Sequence, residues 1–181
     1  MDGKVKRRAV LLTGLAGLAG TLRWHPAAAI STEPARLKLY HIHTREALEI
    51  AYREQGLLQP GALAEIDHVL RDFRSGAEHH IDVDLLDILE ALYARFDHRG
   101  RFEVISGFRS PRTNEALRRV TTGVAEDSLH LSGRAIDVRL TSADTADLRD
   151  AALALGAGGV GYYPKSNFVH IDTGAIRSWQ G

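Results

Sequence analysis

Hydrophobic and polar positions along the chain alternate with two different periods, and the switches between them mark the elements. Leu37, Leu39, His41 and His43 alternate with Lys38, Tyr40 and Ile42, the two-residue repeat of a strand. Thr44 to Tyr52 fits a second strand or a short helix equally well. Pro60 suits a first helical turn, and Leu63, Ile66, Val69, Leu70 and Phe73 follow at helical spacing until Gly76 closes the run. Asp82 is placed to cap a second helix, in which Leu85, Leu86, Ile88, Leu89, Leu92, Tyr93 and Phe96 form a broad apolar face. A short β-rich run, Phe102 to Ile105, leads through Ser106-Gly107-Phe108-Arg109-Ser110 into a helix opened by Pro111 and ending near Val120. Thr121 to Asp127 reads as a loop. Ala135 to Leu140 is strand-like, Ser142 to Leu155 helical, and two more β-like runs, Val160 to Tyr163 and Phe168 to Asp172, complete the pattern. The arrangement predicts an α+β domain: an antiparallel sheet with helices packed on one side.

Two local patterns imitate chemistry. Gly156, Gly158 and Gly161 satisfy G-x-G-x-x-G, but a dinucleotide site needs a strand before the glycines and a helix after them. Here the helix comes first, so the glycines read as a helix C-cap and a tight entry into a strand. His41 and His43, two apart on one strand, would share a face; with no carboxylate at fitting spacing they read as exposed imidazoles of an edge strand. His79 and His80 fall in a loop and read as solvated.

Composition narrows the function classes. The 181 residues, 44% hydrophobic and 25% charged, suit one domain with a sizeable core. Lys+Arg 23 balances Asp+Glu 23, so no basic field points to nucleic acid. Cysteine is absent, which excludes disulfides and thiolate ligands; a metal site here must use His and carboxylate. At the N-terminus, Lys4, Lys6, Arg7 and Arg8 precede the apolar stretch Val10 to Leu22 and the small residues Ala27-Ala28-Ala29, the layout of an export signal over residues 1–29. Arg7-Arg8 fits a twin-arginine pattern, with general secretion the alternative. The apolar stretch is shorter than the roughly 20 residues that span a bilayer, so no stable membrane insertion is expected after cleavage. Residues 30–36 read as a linker and 37–181 as the domain. Cleavage after Ala29 leaves 18 basic against 22 acidic residues.

The candidate chemistry lies at His130, Asp137 and His170. His130 precedes a turn that Gly133 lets the backbone make sharply, Asp137 lies in the strand-like run that follows, and His170 stands in the last β-like run, on the face shared by Phe168 and Asp172. Two imidazoles and a carboxylate are the ligands a catalytic zinc takes while keeping a position open for water. Each residue taken alone also fits an exposed or hydrogen-bonded side chain. Arg109 sits at a strand-to-helix turn, where side chains reach the mouth of a sheet.

Ser128-x-His130-x-x-Gly133-x-Ala135-x-Asp137, preceded by Ser106-Gly107-Phe108-Arg109-Ser110 and followed by a histidine in a closing strand, resembles the zinc peptidases of the D-Ala-D-Ala carboxypeptidase and dipeptidase type, which share a fold with the hedgehog signalling domain. The runs Gly158 to Pro164 and Phe168 to Gly174 are similar to the murein endopeptidase K branch, whose members are exported and cut peptidoglycan crosslinks. The match spans roughly Leu37 to Trp179. The resemblance implies zinc on His130, Asp137 and His170, Arg109 beside the scissile carbonyl as an oxyanion partner, and Ser128 as a hydrogen-bonding or substrate contact. One departure stands out. The carboxypeptidases of this family carry a glutamate or aspartate, as general base, three residues before the last zinc histidine; here that position is Asn167, whose amide can orient substrate or water but cannot carry a proton. Asp172 is then the first candidate for the base, with an orienting role toward a ligand histidine as its equal alternative, and Glu126 and Asp127 follow. The resulting expectation is a zinc-dependent hydrolase of amide bonds in peptidoglycan stem peptides or crosslinks, exported to the periplasm or cell envelope. The competing classes are a zinc-bearing module that binds wall peptides without cutting them and a metal-free wall protein.

Overall fold

A computed structural model describes residues 33–121 and 123–181. Its centre is an eight-stranded sheet built from β1 (Ala35–His41), β2 (Ala47–Glu54), β3 (Leu57–Leu58), β4 (Phe102–Ser106), β5 (Ala135–Leu140), β6 (Gly159–Tyr163), β7 (Phe168–Asp172) and β8 (Arg177–Gln180), in the order β3-β2-β1-β4-β5-β7-β6-β8. The helices are α1 (Pro60–Val69), α2 (Val83–Arg95), α3 (Pro111–Val120) and α4 (Thr145–Leu155), with one 3₁₀ turn at Leu129–Ser132. No helix of the described residues is long and apolar enough to cross a membrane.

The fold is α+β, but the sheet is mixed rather than antiparallel. β1 pairs with β4 in parallel and so does β6 with β8, while the other neighbours are antiparallel. Each parallel pair requires the chain to cross over before rejoining the sheet. Between β1 and β4 the crossover carries α1 and α2; between β6 and β8 the intervening strand is β7.

Alternation along the strands sorts the two faces. Leu37 and Leu39, Phe102 and Val104, Ile136, Val138 and Leu140, and Val169 and Ile171 are buried in one core with Ile66, Leu85, Leu86, Leu89 and Leu92 of α1 and α2 and Leu148 of α4. Three helices thus cover one face, as predicted. α3 stands apart from that core: its buried residues are Thr113 and Asn114, and Asn114 donates its amide to the carbonyls of Ala125 and Glu126, fixing the loop that follows the helix. The opposite face of the central strands carries the polar residues of interest.

Several boundaries differ from the pattern-based ones for identifiable reasons. Thr44 to Tyr52 resolves as the end of a turn followed by β2, the strand alternative. β1 begins at Ala35, inside the predicted linker. α1 stops at Val69, not near Gly76, and Phe73 leaves the helix to stack on His43 at 4.1 Å between ring centroids. β1 is not an edge strand, because β2 and β3 lie outside it; His41 shares the buried side of β1 with Leu37 and Leu39, meets the Phe73 ring edge-on and is fully buried, and His43 lies beyond the strand end in a turn. Residues 1–29, read as an export signal, lie outside the described residues.

Candidate metal centre

One row of paired residues crosses the helix-free face of the sheet. Ser106 pairs with Asp137, Asp137 with His170, His170 with Gly161, and Gly161 with Trp179. Because paired residues on neighbouring strands point the same way, register alone brings Asp137 and His170 side by side. His130 arrives from outside the sheet. The 3₁₀ turn that carries it ends at Gly133, whose φ of 67° is left-handed and whose added Cβ would lie 2.2 Å from the carbonyl oxygen of His80, so only glycine fits. The backbone N–H of Arg109 then donates to the His130 carbonyl at 3.0 Å, joining this turn to the strand-to-helix turn after β4.

The three side chains converge. His130 Nε2 lies 3.3 Å from both His170 Nδ1 and Asp137 Oδ1, and His170 Nδ1 lies 2.8 Å from the same Oδ1. All are buried or nearly so; His130 is 1% and Asp137 4% exposed, which leaves water little part in satisfying them. The outer nitrogens identify the protons. His130 Nδ1 faces the Gly107 carbonyl at 2.7 Å and must donate there, and His170 Nε2 faces Asp172 Oδ2 at 3.1 Å and donates there. With both imidazoles neutral, two ring lone pairs and a carboxylate oxygen meet at one point. Either a proton or a cation resolves this. Burial, with Arg109 and His170 nearby, pushes His130 below the usual histidine range in spite of Asp137. Burial alone would raise Asp137, but the two imidazoles hold its carboxyl well below the usual range. For His170 burial is outweighed by Asp137 and Asp172, and its pKa rises to about 8. Two imidazoles and one carboxylate with outer hydrogen bonds already made are a donor set that fits zinc.

The neighbours have defined duties. Arg109 donates from Nε to Ser106 Oγ at 2.8 Å and from Nη2 to Asp137 Oδ2, so it holds the oxygen that does not face the imidazoles and still has three N–H groups to offer. Asp172, fully buried, is saturated: it accepts from His170, from the backbone N–H groups of Gly159 and Gly174, and from both terminal nitrogens of Arg177. Burial would raise its pKa, yet these donors keep it below the usual carboxylate range. Ser128 lines the cleft and its hydroxyl makes no capping bond to the turn it opens. Asn167 is not brought to the site. It sits with φ 53° in the turn before β7, exposed, and its amide oxygen accepts from Thr145 Oγ1 at the start of α4.

The centre opens into a cleft of about 520 Å³. Its far wall is aromatic: Trp179 lies across Gly161, where an added Cβ would meet the indole at 2.6 Å, stands 5.2 Å from His170 between centroids, and donates its N–H to Tyr163 Oη, while Tyr163 stacks on Phe168. Trp179 and Arg177 belong to β8, a four-residue run too short to stand out by periodicity. Gly161 was the available signal, since a strand glycine often marks close approach by a neighbour.

The family described as peptidoglycan L,D-endopeptidase MepK matches residues 29–179. A protein of Escherichia coli (strain K12) named peptidoglycan L,D-endopeptidase MepK is 40% identical over 176 residues, covering 96% of each chain. A Haemophilus influenzae protein named probable peptidoglycan L,D-endopeptidase MepK is 36% identical over 178 residues, 97% of this chain and 96% of its own. This chain belongs to the MepK family. The resemblance read from the Ser128 to Asp137 motif is thereby confirmed, and with it the expectation of an enzyme: family membership makes the chain an endopeptidase.

Proposed function

We infer that this endopeptidase acts on peptidoglycan, hydrolysing amide bonds of its peptide crosslinks with a zinc ion held by His130, Asp137 and His170. The observation that carries the metal is the convergence of two inward-facing imidazole nitrogens and a carboxylate oxygen at the floor of an open cleft. When bound there, zinc supplies Lewis acidity that activates water near neutral pH. The side chains divide the remaining work. Gly107 and Asp172 fix the tautomers of the two imidazoles so that the correct nitrogen faces inward. Arg109 positions Asp137 and directs its spare N–H groups at the oxygen that becomes negative as the amide is attacked. Ser128 contacts the substrate backbone from the cleft wall.

Proton transfer needs a carboxylate with free lone pairs, and Asp172 has spent its own on five donors. It is assigned the orienting role. Asp127 is the remaining carboxylate along the cleft apart from Asp137, it is exposed, and it makes no ion pair among the described residues; it is assigned as the base. Replacing it by Asn should flatten the acidic limb of the pH–rate profile and leave zinc content unchanged. A profile identical to that of the parent would return the base to Asp172.

The second reading, a zinc-bearing module that binds wall peptides without cutting them, draws on Asn167, which leaves the turn before β7 without a carboxylate. Incubation of the mature protein with crosslinked muropeptides, with and without chelator, separates the two. Chelator-sensitive cleavage at the crosslink, located by mass spectrometry, is expected; stoichiometric zinc with intact substrate would favour the binding module. Peptidoglycan places the enzyme in the periplasm or envelope, with residues 1–29 removed on export. N-terminal sequencing of the exported form should begin near Ile30.

A further inference from the structure

The cleft carries a cation that hydrolysis as described does not use. Three arginines line it, and two are committed, Arg109 to Asp137 and Arg177 to Asp172. Arg74, on the loop between α1 and α2, makes no ion pair among the described residues. Its place is nevertheless firmly built. The Arg74 backbone N–H donates to Asp72 Oδ1 at 3.0 Å. Asp72 is 1% exposed and also accepts from the backbone N–H and hydroxyl of Ser110 and from Ser75 Oγ, which ties the loop to the cap of α3 immediately after Arg109. The Arg74 guanidinium lies 4.2 Å from the centroid of Phe73, and Phe73 is stacked on His43, itself a cleft residue. A guanidinium held by its face keeps the edge N–H groups free for a planar anion. Against these cations the cleft wall offers Asp127 as its one carboxylate outside the metal ligands. With Arg109 and Arg177 paired, Arg74 is left among the described residues as the cleft's uncommitted cation and Asp127 as its uncommitted carboxylate.

We propose that Arg74 is a specificity-determining residue: it binds a carboxylate carried by the substrate peptide close to the scissile amide, with the Phe73–His43 stack holding the guanidinium in place. The proposal rests on the peptidase reading above and adds the charge the substrate must bear. A carboxylate accepts two parallel N–H bonds from guanidinium, whereas a carboxamide offers one acceptor and no charge. Selection between acid and amide forms of one peptide follows.

Two synthetic crosslinked peptides test this, identical except that the carboxyl groups flanking the scissile amide are free in one and amidated in the other. With zinc-loaded mature protein, kcat/KM should favour the acid by about tenfold or more, with the difference in KM. Arg74→Gln should bring the ratio to near unity and Arg74→Lys should restore part of it, with melting temperatures unchanged because the side chain is exposed. Equal cleavage of acid and amide by the parent, or a parental ratio in Arg74→Gln, would overturn the proposal. If the parent cuts neither peptide, the peptidase reading fails instead. Calorimetric Kd values for the same pair on parent and Arg74→Gln then decide the subsite by the same ratio.

Discussion

At the residue scale, the metal centre depends on which proton each nitrogen carries, and that is set by groups outside the ligand triad. Asp172→Asn keeps the size of the side chain and removes its charge; the Gly159 and Gly174 N–H groups hold the amide oxygen, so an NH2 faces His170 in place of the acceptor that fixes its tautomer. Zinc affinity should fall by about 10- to 100-fold while kcat at saturating zinc stays within a few-fold; the reverse pattern, unchanged affinity with kcat lost, would mark Asp172 as a proton carrier. His130, Asp137 and His170 were legible in the sequence because their spacing matches a known motif. The sequence left Asp172 open between base and orienter, because the choice depends on Arg177, Gly159 and Gly174, whose approach only the folded β6–β7–β8 arrangement brings about. His41 was misread for a related reason: alternation placed it on a strand face but could not say that two further strands lie outside β1. Burial there lowers its pKa to about 4, with His43 and Arg71 adding to the effect and Glu46 opposing it. The unfolded chain takes up a proton below pH 6.5 that the folded one refuses until about pH 4. The His41 contribution to stability should therefore be level above pH 6.5 and fall as pH drops through that window, by up to about 3 kcal/mol. Urea midpoints between pH 7 and pH 4 measure this, and His41→Gln should flatten the slope.

At the scale of elements, two turns and one sheet row place the site. Gly133→Ala puts a Cβ into the His80 carbonyl at a left-handed position, so it should cost about 2 kcal/mol or more of stability and misplace His130. Thermal unfolding and zinc content should both report the change. Gly161→Ala pushes on the Trp179 indole instead, at the sheet edge and away from the core. Its expected effect is a raised KM with near-parental zinc content. Helices α2 and α3 were readable, with Asp82 and Ser110 capping them through side-chain acceptors. The end of α1 was not, since the stacking of Phe73 on His43 is a tertiary contact that overrides helical spacing. β3 and β8, two and four residues long, carry too few positions for any period to show.

At the scale of the whole molecule, the sequence pattern yields two layers and the side that helices cover, because a strand buried against helices on one face alternates in hydrophobicity. Strand order is a different matter. The parallel pairs β1–β4 and β6–β8 arise from crossovers, and hydrophobic alternation is blind to the direction of a neighbour. The resulting division of labour is simple: one face packs on α1, α2 and α4, and the other presents Ser106, Asp137, His170, Gly161 and Trp179 in a row to the cleft. A ligand bound to the folded state alone stabilises that state, so zinc should raise the melting temperature of the parent and leave His170→Ala unmoved. The most direct measurement is a titration of metal-free mature protein with zinc, following hydrolysis of a crosslinked muropeptide and bound zinc together. Activity rising in proportion to zinc and levelling at one ion per chain, with none in His170→Ala, is the predicted result. Full hydrolysis by the chelated, metal-free protein would contradict it.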